Sequence, residues 1–525
     1  MSLLRFALRP VLRALRRLGG RRVPQPAGPS GRRAILFHID GVGRATLDAA
    51  MRSGHFPFLR RALEKGTHRV ATLRAGAPAS TAAFQVGLLH GRTEDVPGYV
   101  WYDKRLGRRL KMDAPDDVAL VERREGAERE GLLIGGTSYA ALFMGDAAVA
   151  TMNLRLTKHH TLNLASLKWP RPLAFAVHAI LAAAVWPRLL FAIPRDLFEG
   201  IRWSLRVGTT AWEWRLFYMR TLSDTMRQVT TWSTVADMTV GIPIVYACTA
   251  DYDEIAHRRG PRASVAMRHL RAADKAAEVI FTAAEELPEM RYDVYALSDH
   301  GQVDAIPFES VAGVELTTFL REATGSSPDP SSPSKAPSGV EIVEAGDIAH
   351  LYFTGSPEPM LLEEIERRHP AILAALQTSD AVPFLVARSA TGPVVMAGRR
   401  YYHLGDESTR AALEALPAFR GPERDLYIGY VERLVGMGSA GDLVLYGNRG
   451  ADEPAIAFSW EFGSHGGIGA GEVDAFVIHP ANAGFDFGAV TLPEELYAWF
   501  TRYRRSEHTE EAPLYHGSGS LEASP

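Results

Sequence analysis

Cysteine is almost missing: Cys248 stands alone among 525 residues. No internal disulfide framework and no cysteine-based zinc cage can form, so any metal must be held by histidine and carboxylate. A strong charge of one sign is missing too. The 58 Lys and Arg nearly balance 61 Asp and Glu, for a net charge of −3. The chain as a whole therefore carries no bias toward a nucleic acid polymer. The N-terminus lacks a continuous apolar run. Leu4, Leu8, Leu12, Leu15 and Leu18 recur at helical spacing, but Arg5, Arg9, Arg13, Arg16 and Arg17 interrupt them. A cleavable signal needs about 7–15 uninterrupted apolar residues, so none is expected. Location then reads as cytoplasmic or peripheral to a membrane.

What the N-terminus does have is basic charge: residues 1–33 hold nine Arg and no acid. Two readings stay open. Residues 1–20 form a basic amphipathic helix resting on an anionic membrane surface, or 1–33 is a disordered leader and Gly/Pro/Arg linker. Pro10 would kink such a helix or mark its first turn.

A membrane-spanning run is also wanting. Leu173–Trp186 is apolar except for His178, but Pro187 and Arg188 separate it from Leu189–Ile193, and about 20 apolar residues are needed to cross. A single crossing would also divide the candidate site residues between two compartments. The 158–241 region is therefore expected to be an apolar helical insertion, with 173–193 either capping the protein or touching a membrane interface. The aromatics Trp203, Trp212, Trp214, Phe217 and Tyr218 read as core packing, or alternatively as a substrate wall or membrane belt. Residues 323–339, rich in Pro, Ser and Gly, read as a flexible loop, and 506–525 as a disordered tail. The catalytic domain is expected over 34–505.

Within that span, strands and helices alternate. Ala34–Ile39, Ile242–Thr249 and Tyr292–Leu297 are short apolar runs that read as buried strands, and Pro261–Leu287 reads as a long helix. That order argues for an α/β fold with a mainly parallel central sheet flanked by helices. Each of the three strands runs into an Asp or His: His38-Ile-Asp40-Gly41, Asp253 through His257, and Ser298-Asp299-His300-Gly301. A fourth segment, Gly463-Ser464-His465-Gly466-Gly467, sets His465 among glycines. In open α/β sheets the C-terminal edge of the strands is where sites assemble. Spaced four apart, Asp253 and His257 share one face of a helix. Alone, Asp40 beside a glycine reads as a turn residue and His465 as a structural hydrogen-bonder. Together the segments offer three carboxylates and three imidazoles, the donor set of a two-metal site. A further segment, Pro78-Ala79-Ser80-Thr81, supplies two hydroxyls at the start of a helix expected over Ala82–Leu89.

In this order the segments resemble the alkaline phosphatase superfamily, and within it bacterial-type members of the type I phosphodiesterase/nucleotide pyrophosphatase family. Pro78, Thr81 and Gly91 match the spacing around the family's nucleophile. Asp253, His257, Gly260 and Pro261 match its second ligand pair, and SDHG and GSHGG its third and fourth ligand segments. The resemblance implies an alkaline-phosphatase-like fold and hydrolysis of a phosphodiester or phosphoanhydride through a phospho-threonine intermediate. It implies one metal on Asp253, His257 and His465. A second would sit on Asp40, Asp299 and His300, with the Thr81 oxygen bound to it. The ions are expected to be zinc, because the ligation is rich in His, with manganese as the alternative. Ser80 competes with Thr81 as nucleophile, and the loser is expected to cap the helix.

One position departs from the family pattern. Where the family commonly places an Asn that holds a phosphate oxygen, this chain has Tyr99, whose phenol can donate one hydrogen bond. Tyr99 is thus a weaker substrate-binding candidate, and the leaving group is left open. Arg74 and Lys104 are candidate phosphate contacts, with surface charge the favoured reading. The expected substrate is a small-molecule or lipid phosphoester. A phosphomonoesterase or a phospho-group transferase on the same scaffold is the alternative, and a membrane-surface binding protein a further one. The sequence does not give the oligomeric state.

Overall fold

The computed structural model describes residues 3–18, 27–151, 194–195, 197–206, 214–326 and 336–504. The 173–193 segment, most of 323–339 and residues 506–525 lie outside them, so the region 158–241 is described only in part.

A seven-stranded sheet forms the centre. Its middle strand, Arg33–Ile39, is buried along its whole length. It pairs in parallel with Ile244–Thr249 on one side and Tyr292–Leu297 on the other, with His38 level with Cys248 and Leu297. Thr137–Tyr139 and Val149–Thr151 extend the parallel run. Strands buried on both faces need continuous apolar sequence, which is why these runs were legible. Side chains alternate across the sheet. Ile35, Phe37 and Ile39 enter one core with helices Trp214–Val240 and Ser264–Glu286. Ala34 and Leu36 enter the other, with helix Thr81–His90.

Two features were not expected. Asp474–Pro480 enters the sheet antiparallel, between His68–Arg74 and Tyr292–Leu297. A second, six-stranded sheet, antiparallel throughout, is built from Val340–Ala345, Ile348–Phe353, Phe384–Ser389, Gly392–Ala397, Arg400–His403 and Leu443–Tyr446.

The basic leader folds as a helix, Leu3–Leu18, that runs through Pro10. Three of its leucines face inward. Leu8, Leu12 and Leu15 are buried in the core they share with Met238 and Leu270. Arg5, Arg9 and Arg16 pair with Glu285, Glu286 and Glu289 at the end of the long helix. Such exposed pairs contribute little, so the leucines anchor this helix. Leu12→Ala is expected to lower unfolding stability by about 2–5 kcal/mol, measured by denaturant titration. Among the described residues no helix is long and apolar enough to cross a membrane.

Candidate active site

The site forms where strand ends, two helix starts and one glycine-rich loop meet. Asp40 follows the central strand directly, and Gly41 turns the chain at φ +74°. A Cβ on Gly41 would lie 2.3 Å from Asp253 Oδ1, so only glycine lets these two segments approach. The Gly41 N–H donates to Asp299 Oδ1 at 3.1 Å, and the Val42 N–H to Ser298 Oγ at 2.9 Å. These bonds tie the first ligand segment to the third. Helix Asp251–Arg259 presents Asp253 and His257 on one face, with His257 Nε2 3.3 Å from Asp253 Oδ2.

His465 arrives from the second half of the chain. Its Nε2 lies 3.1 Å from His257 Nε2, its ring stacks on His300 at 3.8 Å, and its Nδ1 meets the Ala79 carbonyl at 2.7 Å. The loop behind it is fixed by buried acids. The Gly467 N–H donates to Glu472 Oε1 at 2.9 Å and Asp347 Oδ1 at 3.2 Å, and Asn448 bridges the two carboxyls. Burial and the neighbouring Glu472 push Asp347 well above the usual carboxylate range. Asp347 stands at the turn between Val340–Ala345 and Ile348–Phe353. The unexpected second sheet therefore positions His465.

Thr81 is the first residue of helix Thr81–His90. Its Oγ1 lies 3.1 Å from His300 Nε2 and 3.3 Å from Asp40 Oδ1. The unpaired N–H groups of the first helical turn favour an anion there. Ser80 occupies the N-cap position, but its side chain makes no capping bond and its buried Oγ has no partner. The capping role expected of Ser80 is thus absent.

All six expected ligands and the Thr81 hydroxyl meet in one cluster, buried except at the partly exposed His257 and His465. Two groups of ligand atoms are compact: Asp253 with His300 and His465, and His38 with Asp40 and Asp299. His300 also reaches the second group, 3.2 Å from Asp299 and 3.7 Å from Asp40. His38 joins the site, beyond the residues expected from the sequence. Strand alternation puts it on the same face as Asp40, which was the available signal. Its Nε2 faces Asp299 Oδ1 at 3.0 Å, and its Nδ1 is held by the Tyr246 hydroxyl at 2.6 Å.

The electrostatics fit bound cations. Burial, then Asp299 and Asp253, push Asp40 well above the carboxylate range. Burial opposes ionisation of Asp253 and Asp299 as well. The imidazoles of His257 and His465, and those of His300 and His38, nevertheless hold the two acids below that range. Burial and His300 push His465 down to about 3. Asp299 Oδ2 accepts no hydrogen bond, and two imidazole nitrogens face each other at 3.1 Å. Crowded carboxylates, an unused oxygen and converging ring nitrogens are the donor chemistry of divalent ions.

Glu461 and Gln302 were not anticipated. Glu461 Oε2 meets His257 Nδ1 at 3.1 Å, and Gln302 donates to the Asp253 carboxylate. Carboxylates behind a ligand imidazole fix its tautomer and raise its basicity. Glu461→Gln is expected to weaken metal binding by about 10–100-fold, measured by titrating metal into chelated protein.

Tyr99 is half-buried. Burial, then Asp113, Glu254, Asp40 and Asp253, push its phenol pKa up, so the hydroxyl keeps its proton beside the site. Arg74 and Lys104 are committed elsewhere: Arg74 to Asp474 and Glu423, and Lys104 to Asp442 at 2.8 Å.

The model of the family described as "Type I phosphodiesterase / nucleotide pyrophosphatase" matches residues 34–395. That span holds every expected ligand except His465. The chain is also similar to two solved structures of phosphonoacetate hydrolase from Sinorhizobium meliloti 1021. The complex with phosphonoformate is 16% identical, covering 93% of this chain and 97% of that chain, at a TM-score of 0.46. The complex with phosphonoacetate is 16% identical with the same coverage, at 0.44. No curated protein matches.

Proposed function

The chain belongs to the type I phosphodiesterase/nucleotide pyrophosphatase family, and from that premise we propose that it is a two-metal hydrolase of a phosphodiester or phosphoanhydride, with Thr81 as nucleophile. The observation that carries this reading is the Thr81 hydroxyl, at a helix start and within 3.3 Å of both Asp40 and His300.

In this reading Asp253, His257 and His465 hold one divalent ion, and Asp40, Asp299 and His300 the other, next to the Thr81 oxygen. His38 orients Asp299, and Glu461 orients His257. When bound, the ions would supply Lewis acidity to the Thr81 hydroxyl and the phosphoryl oxygens. Zinc suits the imidazole-rich set, with manganese as the alternative.

Thr81 Oγ1 attacks phosphorus in line as its proton passes through solvent water to the leaving oxygen. The new O–P bond forms as the bond to the leaving oxygen breaks. Water then attacks the phospho-threonine, releasing the phosphorylated product and restoring the hydroxyl. The first-turn N–H groups of helix Thr81–His90 favour the negative phosphoryl group, and the protonated Tyr99 phenol is available to one non-bridging oxygen. The substrate would be a small molecule or lipid rather than a nucleic acid polymer.

The test uses chelated protein with zinc or manganese restored, on bis-p-nitrophenyl phosphate and p-nitrophenyl phosphate in parallel. Metal-dependent cleavage of the diester in preference to the monoester is expected. Preference for the monoester would move the reading to a phosphatase, and failure to bind metal would end it.

A further inference from the structure

The helix over 197–206 is amphipathic in the reverse sense. At 3.6 residues per turn, Leu197, Phe198, Ile201 and Leu205 fall within about 100° of arc. They are 48%, 65%, 45% and 80% exposed. Its other side docks on the protein. Trp203 meets the Phe462 ring edge-on at 5.0 Å and lies 3.8 Å beneath the Arg259 guanidinium, while Glu199 pairs with Arg268. A surface helix ordinarily turns its apolar stripe inward. Here the stripe points away from the body and the opposite side holds the helix in place.

We infer that this helix is a membrane-docking element, lying in the plane of an anionic lipid surface and seating the mouth of the active site against it. The charge pattern favours lipid. Arg202 and Arg206 are exposed, and helical geometry sets them together along one flank of the stripe. Apolar residues flanked by cations are the signature of an interfacial helix. Just upstream, the sequence carries the apolar runs Leu173–Trp186 and Leu189–Ile193.

The helix is joined directly to the site. Trp203 packs on Phe462, whose N–H donates to the His257 carbonyl at 2.8 Å, and the exposed Trp460 packs edge-on against the same ring at 5.7 Å. Seating the stripe in lipid would bring the His257 side of the site to the headgroup layer. On the reading of the site given above, from which this consequence follows, the favoured substrate is a phosphoester presented at a lipid surface.

The experiment is co-sedimentation of the full chain with phosphatidylcholine vesicles, with and without about 30 mol% phosphatidylglycerol. The wild type is compared with Phe198→Glu/Leu205→Glu, and hydrolysis of bis-p-nitrophenyl phosphate is measured alongside. The wild type is expected to pellet with the anionic vesicles. The variant should bind at least about tenfold more weakly, with its thermal midpoint and soluble-diester activity unchanged.

Wild type that stays in the supernatant, or a variant that pellets like wild type, overturns the inference. So does a variant that loses thermal stability along with binding, because the stripe would then be packed on the chain's own 173–193 segment. A concentration-dependent dimer abolished by the substitutions assigns the stripe to a second copy and also overturns it. Absent hydrolysis with intact vesicle binding would count against the reading of the site and leave the docking inference standing.

Discussion

Thr81→Ala is expected to cut kcat for bis-p-nitrophenyl phosphate by at least ~10³-fold while metal content stays that of the wild type. The removed oxygen lies 3.1 Å from His300 and 3.3 Å from Asp40, but the carboxylates and imidazoles that would carry the ions are untouched. Helix Thr81–His90 loses no backbone bond, since alanine suits a first-turn position. Thr81→Ser keeps an oxygen in place and should retain most of the lost activity. Ser80→Ala is the control. The Ser80 Oγ is buried without a partner, so its removal should leave turnover nearly intact. Were Ser80→Ala inactive and Thr81→Ala active, the two hydroxyls would exchange roles.

Asp40→Asn should divide function from stability. In the metal-free protein Asp40 is buried and faces the negative charges of Asp299 and Asp253, and its pKa rises accordingly. A raised folded-state pKa means that ionisation costs folding free energy, at every pH above the unfolded value. The amide removes that cost. Chelated Asp40→Asn is therefore expected to be at least as stable as the chelated wild type at neutral pH, by up to about 1–2 kcal/mol. With metal present the order reverses. The wild type gains stability from bound ions, whereas the variant gains less and loses at least ~10²-fold in activity. Thermal unfolding of both proteins, chelated and metal-loaded, gives all four values. A chelated variant less stable than the chelated wild type would show that the carboxylate is held by bonds that the crowding does not outweigh.

These outcomes bear on residues that the sequence largely exposed. Asp40, Asp299 and His300 sit just past strands that are mostly apolar because the sheet buries both faces. Asp253 and His257 share a helical face whose spacing is local. His465 stood out among glycines. The supporting residues were not legible, because their meaning is non-local. Glu461 lies 204 positions from His257, and Asn448 lies 101 from Asp347. No pattern within a single segment marks either pair. The second sheet escaped for a related reason. Its strands are short and some are separated in sequence by helices, and the run Gly392–Ala397 offers neither strict alternation nor a long apolar stretch. The leader's helical period was legible, but not the surface it meets. Leu8, Leu12 and Leu15 would serve lipid or protein equally well, and it is the acidic end of the Ser264–Glu286 helix that receives its arginines.

The strand Asp474–Pro480 enters the sheet between His68–Arg74 and Tyr292–Leu297, and this has a consequence for synthesis. Chains leave the ribosome at about 5–20 residues per second and fold from the N-terminus onward. For roughly ten to forty seconds after Leu297 emerges, the nascent sheet has an open slot beside its best-buried strands. An unpaired, apolar strand edge is a template for the wrong partner. The nascent protein must therefore be shielded over that interval, and a chain cut short before residue 474 would display the edge permanently.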